Sequence, residues 1–198
     1  MNTCLPFLQI FFNLFISVTA LAGPIEKFRE MSLVNSAGKP APIESIFEQN
    51  GQALLAVVSI ATGCPMIQKS FVKYERLSKK WRGKKVKFIY LESSPNFKIR
   101  ETLNEVKKFN SSIPVYFDET QLLTKALGFQ STNQIVLIDL AKSEVVYVGA
   151  IDNSLNYYTQ KAEKIEFAQT ALEQFFGNKS IEPAKTEAFG CAITFKKP

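Results

Sequence analysis

The side chains able to do covalent chemistry come down to very few. The 198-residue sequence holds three cysteines, Cys4, Cys64 and Cys191, and no histidine. Without histidine no Cys-His or Ser-His nucleophile–base pair can be built, and a His-containing zinc or copper site is excluded. With Cys4 in the apolar N-terminal segment expected to be removed, the two remaining thiols without His are poor ligands for a transition metal, so no metal or cofactor is expected. What remains is sulfur chemistry at Cys64 and Cys191, read as a potential disulfide or redox pair.

Cys64 stands between Gly63 and Pro65, after an apolar run and before a helical pattern. At a helix start, free N–H groups and the positive end of the helix dipole stabilise an anion. A thiol placed there can be acidified below its free value of about 8.5, and the thiolate is the nucleophile. Gly63 removes bulk beside it and lets another chain approach. An inert, buried cysteine is the competing reading.

The positioning elements follow from hydrophobic period. Residues 53–60 form a continuous apolar run, read as a strand buried on both faces. Ile67, Phe71, Tyr74, Leu77 and Trp81 then recur at helical spacing, with Pro65 suited to the first helical position. A strand is expected over 86–91, a helix over 98–109, an extended segment over 113–117 and a short helix over 120–127. Residues 135–138 and 145–148 read as a hairpin, and about 160–176 as a helix with Ile165 on its apolar side, stopped at Gly177-Asn178. Residues 31–50 read only as a turn-rich approach to the first strand. This order predicts an α/β, thioredoxin-like fold: a central mixed sheet with helices on both faces and a parallel β-α-β unit first. Working sites in such sheets lie off the carboxyl ends of the strands, where Cys64 falls.

Residues 5–22 carry no charge and end in Ala20-Leu21-Ala22 before Gly23, the pattern of a cleaved signal peptide. Cys4 would be discarded with it. The alternative is a retained membrane anchor over 5–22, since roughly 17–25 apolar residues can span a bilayer. The expected organisation is a leader over 1–22, a domain over 23–178 and a tail over 179–198 carrying Cys191. The expected location is the periplasm or the extracellular space. The 24 Lys and Arg outnumber 18 Asp and Glu, and much of that excess lies between Lys69 and Lys87. Such a run could meet nucleic acid or an anionic lipid surface, but the solvated face of one helix and the loop after it account for it, and no nucleic-acid partner is expected.

The stretch Ala61-Thr62-Gly63-Cys64-Pro65-Met66-Ile67 resembles the active-site turn of thioredoxin-superfamily redoxins. Asp118-Glu119-Thr120, Tyr147-Val148-Gly149-Ala150-Ile151-Asp152 and Gly190-Cys191-Ala192-Ile193 are similar to segments of the exported, peroxiredoxin-like alkyl hydroperoxide reductase and thiol-specific antioxidant group. Several positions depart from those patterns. Ile67 stands where thioredoxins carry a second cysteine. Ala61 replaces the usual peroxiredoxin Thr, and Val57 a usual Pro. Thr132-Asn133 replaces a Thr-Pro whose proline is cis. A cis bond before Asn133 would cost about 3–4 kcal/mol, so trans is expected. These departures point away from efficient peroxide reduction.

The resemblance implies an exported thiol-disulfide oxidoreductase, or a weak peroxiredoxin-like protein. It would act through Cys64 with Cys191 as the resolving partner, on a mobile tail. Thr62, Gly63, Pro65, Thr132 and Asn133 would support the site. Protein disulfides, small thiols or peroxides are the implied substrates, together with a thiol reductant. The alternative is a non-catalytic binding or scaffold module in which a Cys64–Cys191 bond is a staple. Closing so long a loop could stabilise the fold by roughly 4–5 kcal/mol.

Overall fold

A computed structural model describes residues 31–48, 51–155 and 163–197; the apolar segment expected to be a leader lies outside them. The strand expected first, β3 (Leu54–Ile60), lies in the interior of the sheet with a partner on each side. The strands before it are β1 (Ser32–Val34) and β2 (Pro40–Pro42), followed by helix α1 (Ile43–Phe47). After β3 come α2 (Pro65–Arg82), β4 (Val86–Glu92), α3 (Ile99–Lys108), β5 (Val115–Phe117) and α4 (Leu122–Ala126). The order closes with β6 (Ile135–Asp139), β7 (Glu144–Gly149) and α5 (Phe167–Phe176).

The sheet has seven strands in the order β2-β1-β5-β4-β3-β6-β7. Parallel pairing of β3 with β4 runs from Leu54↔Val86 to Ile60↔Glu92. On its other side β3 runs antiparallel to β6, and β6–β7 is the expected hairpin. The apolar run of β3 is unbroken because both faces are covered. Leu54, Ala56, Val58 and Ile60 meet Ile67, Phe71, Tyr74, Leu77 and Trp81 of α2 and Ala168, Ala171 and Leu172 of α5. Leu55 and Val57 meet Ile43 and Ile46 of α1 and Leu123 of α4. Burying each large side chain of this kind contributes about 1.5–3 kcal/mol. The mixed sheet and the helices on both faces are as expected.

Two expectations are corrected. The helix read from about 160 begins only at Phe167; residues 160–162 lie outside the described residues. The cause is Asn153. Its Oδ1 accepts from the Ile165 N–H (3.0 Å), its Nδ2 donates to the Glu163 carbonyl (2.9 Å), and its N–H donates to the Ile165 carbonyl (3.2 Å). Residues 163–165 are thereby held out of the helix, and Ile165 is exposed rather than on a buried helix face. The turn-rich approach over 31–50 also holds structure, β1, β2 and α1. Strands of three residues are too short to show a period, and Pro40 and Pro42 mask β2. An edge strand tolerates prolines because its outer N–H groups have no ladder partner to lose.

Candidate functional site: a disulfide under a docked tail

Three residues carry the chain from the end of β3 to α2. Gly63 takes φ of +80°, a left-handed turn that suits glycine. Cys64 is the N-cap of α2 and Pro65 occupies its first turn. Cys64 is bonded to Cys191, with their Cα atoms 6.2 Å apart. Cys64 is buried at 4% exposure, while Cys191 is only partly buried. An incoming thiol therefore meets the Cys191 side of the bond first.

The loop before β6 backs the bond. Thr132, almost fully buried, places its Oγ1 3.2 Å from Cys64 Sγ. The same oxygen accepts from the Cys191 N–H (2.9 Å). Its own proton is therefore free to point at the Cys64 sulfur. The Thr132 N–H donates to the Cys191 carbonyl (2.9 Å), so the tail runs beside the loop like a short strand. The Thr132–Asn133 peptide is trans, since the one cis bond among the described residues is Glu182–Pro183. Asn133 instead takes φ of +63°, a conformation Asn tolerates better than most residues. Its Nδ2 donates to the Phe189 carbonyl (3.0 Å), and its own carbonyl accepts from the buried Tyr74 hydroxyl (2.9 Å).

Two carboxylates hold the turn from the other side. Glu92, at the carboxyl end of β4 and fully buried, accepts from the Thr62 N–H (2.8 Å), the Thr62 hydroxyl (3.2 Å) and the Ser94 N–H (2.8 Å). Glu105 of α3 accepts from the Gly63 N–H (2.7 Å) and from Gln68 (2.9 Å). The Thr62 and Gly63 amides are thus already occupied. Thr62, Gly63 and Pro65 are exposed around the buried Cys64, and Thr62 works as an anchor of the turn.

The tail is stitched down on both sides of Cys191. Upstream, Thr186 N–H donates to the Val148 carbonyl (3.0 Å), and the Thr186 hydroxyl lies 2.6 Å from that of Tyr147 and accepts from the Ala150 N–H (3.0 Å). Burial pushes the Tyr147 phenol up to about 12, against the opposing pull of its bond to Thr186. Downstream, Ile193 N–H donates to the Gln130 carbonyl (3.0 Å), and Ser131 and Ala192 form an antiparallel bridge.

No protein-family profile matches the chain, and none of the curated proteins matches it. Among solved structures, an uncharacterized conserved protein from Geobacillus kaustophilus has a TM-score of 0.72 at 21% identity, over 85% of this chain and 89% of that one. A thioredoxin-like protein from Aeropyrum pernix has a TM-score of 0.51 at 17% identity, over 64% and 84%. A secreted Mycobacterium tuberculosis disulfide oxidoreductase homologous to E. coli DsbE has a TM-score of 0.50 at 11% identity, over 61% and 83%. The fold is thioredoxin-like.

Within this thioredoxin-like fold, Cys64, Thr132, Asn133 and Cys191 come together at the carboxyl end of the sheet. The sequence reading missed Glu92 and Glu105, and it took Tyr74 only as an apolar helix position. Glu92 left a signal, an acid ending an apolar strand at the working end of the sheet; Glu105 left none.

Asp152, at the end of the Tyr147–Asp152 stretch, is paired with Lys73 at 2.9 Å and accepts from the Ser154 N–H at 3.0 Å. Burial works to raise its pKa, but the hydrogen bonds from Ser154 and Lys73 and the Lys73 charge outweigh it and hold the carboxyl below its usual range. A depressed folded pKa adds stability that is present above the ordinary value of about 3.9 and lost as pH falls through the folded value. Thermal midpoints measured from pH 6 to pH 2.5 are therefore expected to fall more steeply below about pH 4 in the wild type than in Asp152→Asn. Parallel curves would remove Asp152 from the acid limb.

Proposed function

We propose that the chain is a thiol-disulfide oxidoreductase whose working group is the Cys64–Cys191 bond. The observation that carries this reading is the placement of Cys64 at the N-cap of α2, with the Thr132 hydroxyl free to donate to its sulfur. A thiolate RS⁻ attacks Cys191 Sγ, the more accessible side. The S–S bond breaks and Cys64 leaves as a thiolate, stabilised by the helix start and the Thr132 hydroxyl. A second RS⁻ attacks the R sulfur of the mixed disulfide, releasing RSSR and the Cys191 thiolate. Two electrons pass from two RSH to the protein, two protons follow to Cys64 and Cys191, and the reverse sequence oxidises a dithiol substrate. Protein disulfides and small thiols fit this exchange. Peroxide reduction would need the Cys64 thiolate to reach the oxidant, and Cys191 stands over it.

Export belongs to the same reading, supported by the uncharged 5–22 segment and its Ala20-Leu21-Ala22 exit. Disulfides form and persist in oxidising compartments. Equilibration of the native protein with glutathione buffers tests the function. The expected midpoint lies above about −300 mV, with Cys64→Ser abolishing exchange with a small disulfide. A midpoint below about −300 mV, with native thiols inert to disulfides, would make the bond a staple and leave the scaffold reading in its place.

A further inference from the structure

The turn that follows β5 carries a buried amide with no place in the exchange chemistry above. Gln121 has no exposed surface and φ of +57°. Asp118 shapes the turn that presents it, accepting from both the N–H and the hydroxyl of Thr124 at 2.8 Å and from the Thr120 hydroxyl at 3.1 Å. The Gln121 amide is then used in full. Nε2 gives its two protons to the Ser93 carbonyl (2.7 Å) and the Thr194 carbonyl (2.9 Å), and Oε1 accepts from the Lys196 N–H (2.7 Å). Reversing the amide would set its oxygen against two carbonyls, so its orientation is fixed by its partners. One side chain thus grips the tail main chain twice, three and five residues beyond Cys191.

The tail around Cys191 belongs to no helix or long strand, so its position rests on individual hydrogen bonds. Beyond Cys191 these are the Ile193–Gln130 bond, the two from Gln121 and a contact of the exposed Lys196 ammonium with the Glu119 carbonyl. Among the side chains in that set Gln121 is the buried one, where water competes least and an unmade bond costs most. Upstream, Thr186 and Asn133 hold the other side. We propose that Gln121 is a positioning residue that keeps Cys191 against Cys64 after their bond is reduced, so that the pair works as a preassembled dithiol. The proposal rests on the exchange reading above. A docked tail raises the effective concentration of one thiol at the other and favours the bond. Loosening the reduced tail lowers that concentration, while the oxidised tail stays tethered by the disulfide itself.

Glutathione titration of the full chain and its variants is the test. In Gln121→Met the equilibrium constant for forming the bond is expected to fall at least tenfold, about 30 mV for a two-electron couple. Lys196→Pro leaves Gln121 in place and deletes only the N–H it accepts from, together with the lysine head. A several-fold fall is expected there. Lys196→Ala keeps the N–H and loses only the exposed ammonium contact, where water takes over, so its constant is expected to stay within about twofold of the wild type. A merely structural Gln121 would lower the stability of the oxidised and reduced forms equally and leave the equilibrium constant unmoved. If Gln121→Met fails to fold, Lys196→Pro against Lys196→Ala decides alone. A reducible wild type with unchanged constants in the folded variants overturns the clasp only. A wild type that glutathione and dithiothreitol cannot reduce natively overturns the exchange reading, and the clasp falls with it.

Discussion

Gly190→Ala is expected to lift the tail off the Thr132 loop and destabilise the disulfide-bonded protein by about 2–3 kcal/mol. A Cβ at this position would lie 1.8 Å from the Thr132 carbonyl oxygen and 2.6 Å from its carbonyl carbon. Both are backbone atoms, so no side-chain rotation relieves the clash. One of the two segments must retreat by more than an ångström. Retreat breaks the pair of bonds between Thr132 and Cys191, and it draws the Thr132 hydroxyl away from the Cys64 sulfur. Two readouts should move together: the denaturant midpoint of the oxidised form, and the rate at which the reduced form closes its disulfide in a glutathione buffer. An alanine variant with the wild-type midpoint and closure rate would show that the close approach does not hold the tail.

The same geometry explains what could be read from the sequence and what could not. Apolar runs and apolar period revealed β3, α2, β4 and the β6–β7 hairpin, because burial on both faces leaves an unbroken run and burial on one face leaves a repeat. The period failed at residues 163–165, where the controlling group is a single Asn153 amide bonding to main chain. Main-chain partners have no side-chain identity to read. Gly149 and Gly190 were legible as members of short motifs, yet what each faces was not. Gly149 leaves room for Thr186, whose Oγ1 would sit 2.0 Å from a Cβ there. Asp118-Glu119-Thr120 was likewise visible as a motif, and its structural work is to shape the turn that presents Gln121 to the tail. Three separated motifs therefore converge on one task, seating the segment that carries Cys191. That convergence is a property of the fold and has no trace in spacing along the chain. Asn133 shows the opposite case. The cost of a cis bond before a non-proline residue was enough to predict the trans peptide, and the loop accommodates it by placing Asn133 in the left-handed region.

Glu92→Ala is expected to be the most damaging single change at the site, at about 3–5 kcal/mol. Glu92 has no exposed surface, and its two oxygens satisfy the Thr62 N–H, the Ser94 N–H and the Thr62 hydroxyl. Thr62 and Ser94 lie nearer the surface, but their N–H groups point inward at this buried carboxylate; each donor left without a partner there costs about 1–3 kcal/mol, and the truncated side chain leaves a void on top of that. The Thr62 hydroxyl has a second neighbour, the Thr102 hydroxyl at 2.7 Å, so its loss is partly offset. The two amides have no such fallback in the described contacts. Glu92→Gln is not a rescue: its single oxygen can serve one amide, and its NH₂ then faces the N–H of the other. It should fall between alanine and the wild type. Glu105→Ala is the contrast, because Glu105 is only partly buried and water can replace it at the exposed Gly63 N–H; a loss of about 1 kcal/mol or less is expected there. Denaturant unfolding of the oxidised proteins ranks the three. Because Thr62 begins the turn that ends at Cys64, Glu92→Ala should also disturb disulfide exchange in whatever fraction stays folded. A Glu92→Ala protein as stable as Glu105→Ala would mean that the buried carboxylate does not hold the turn.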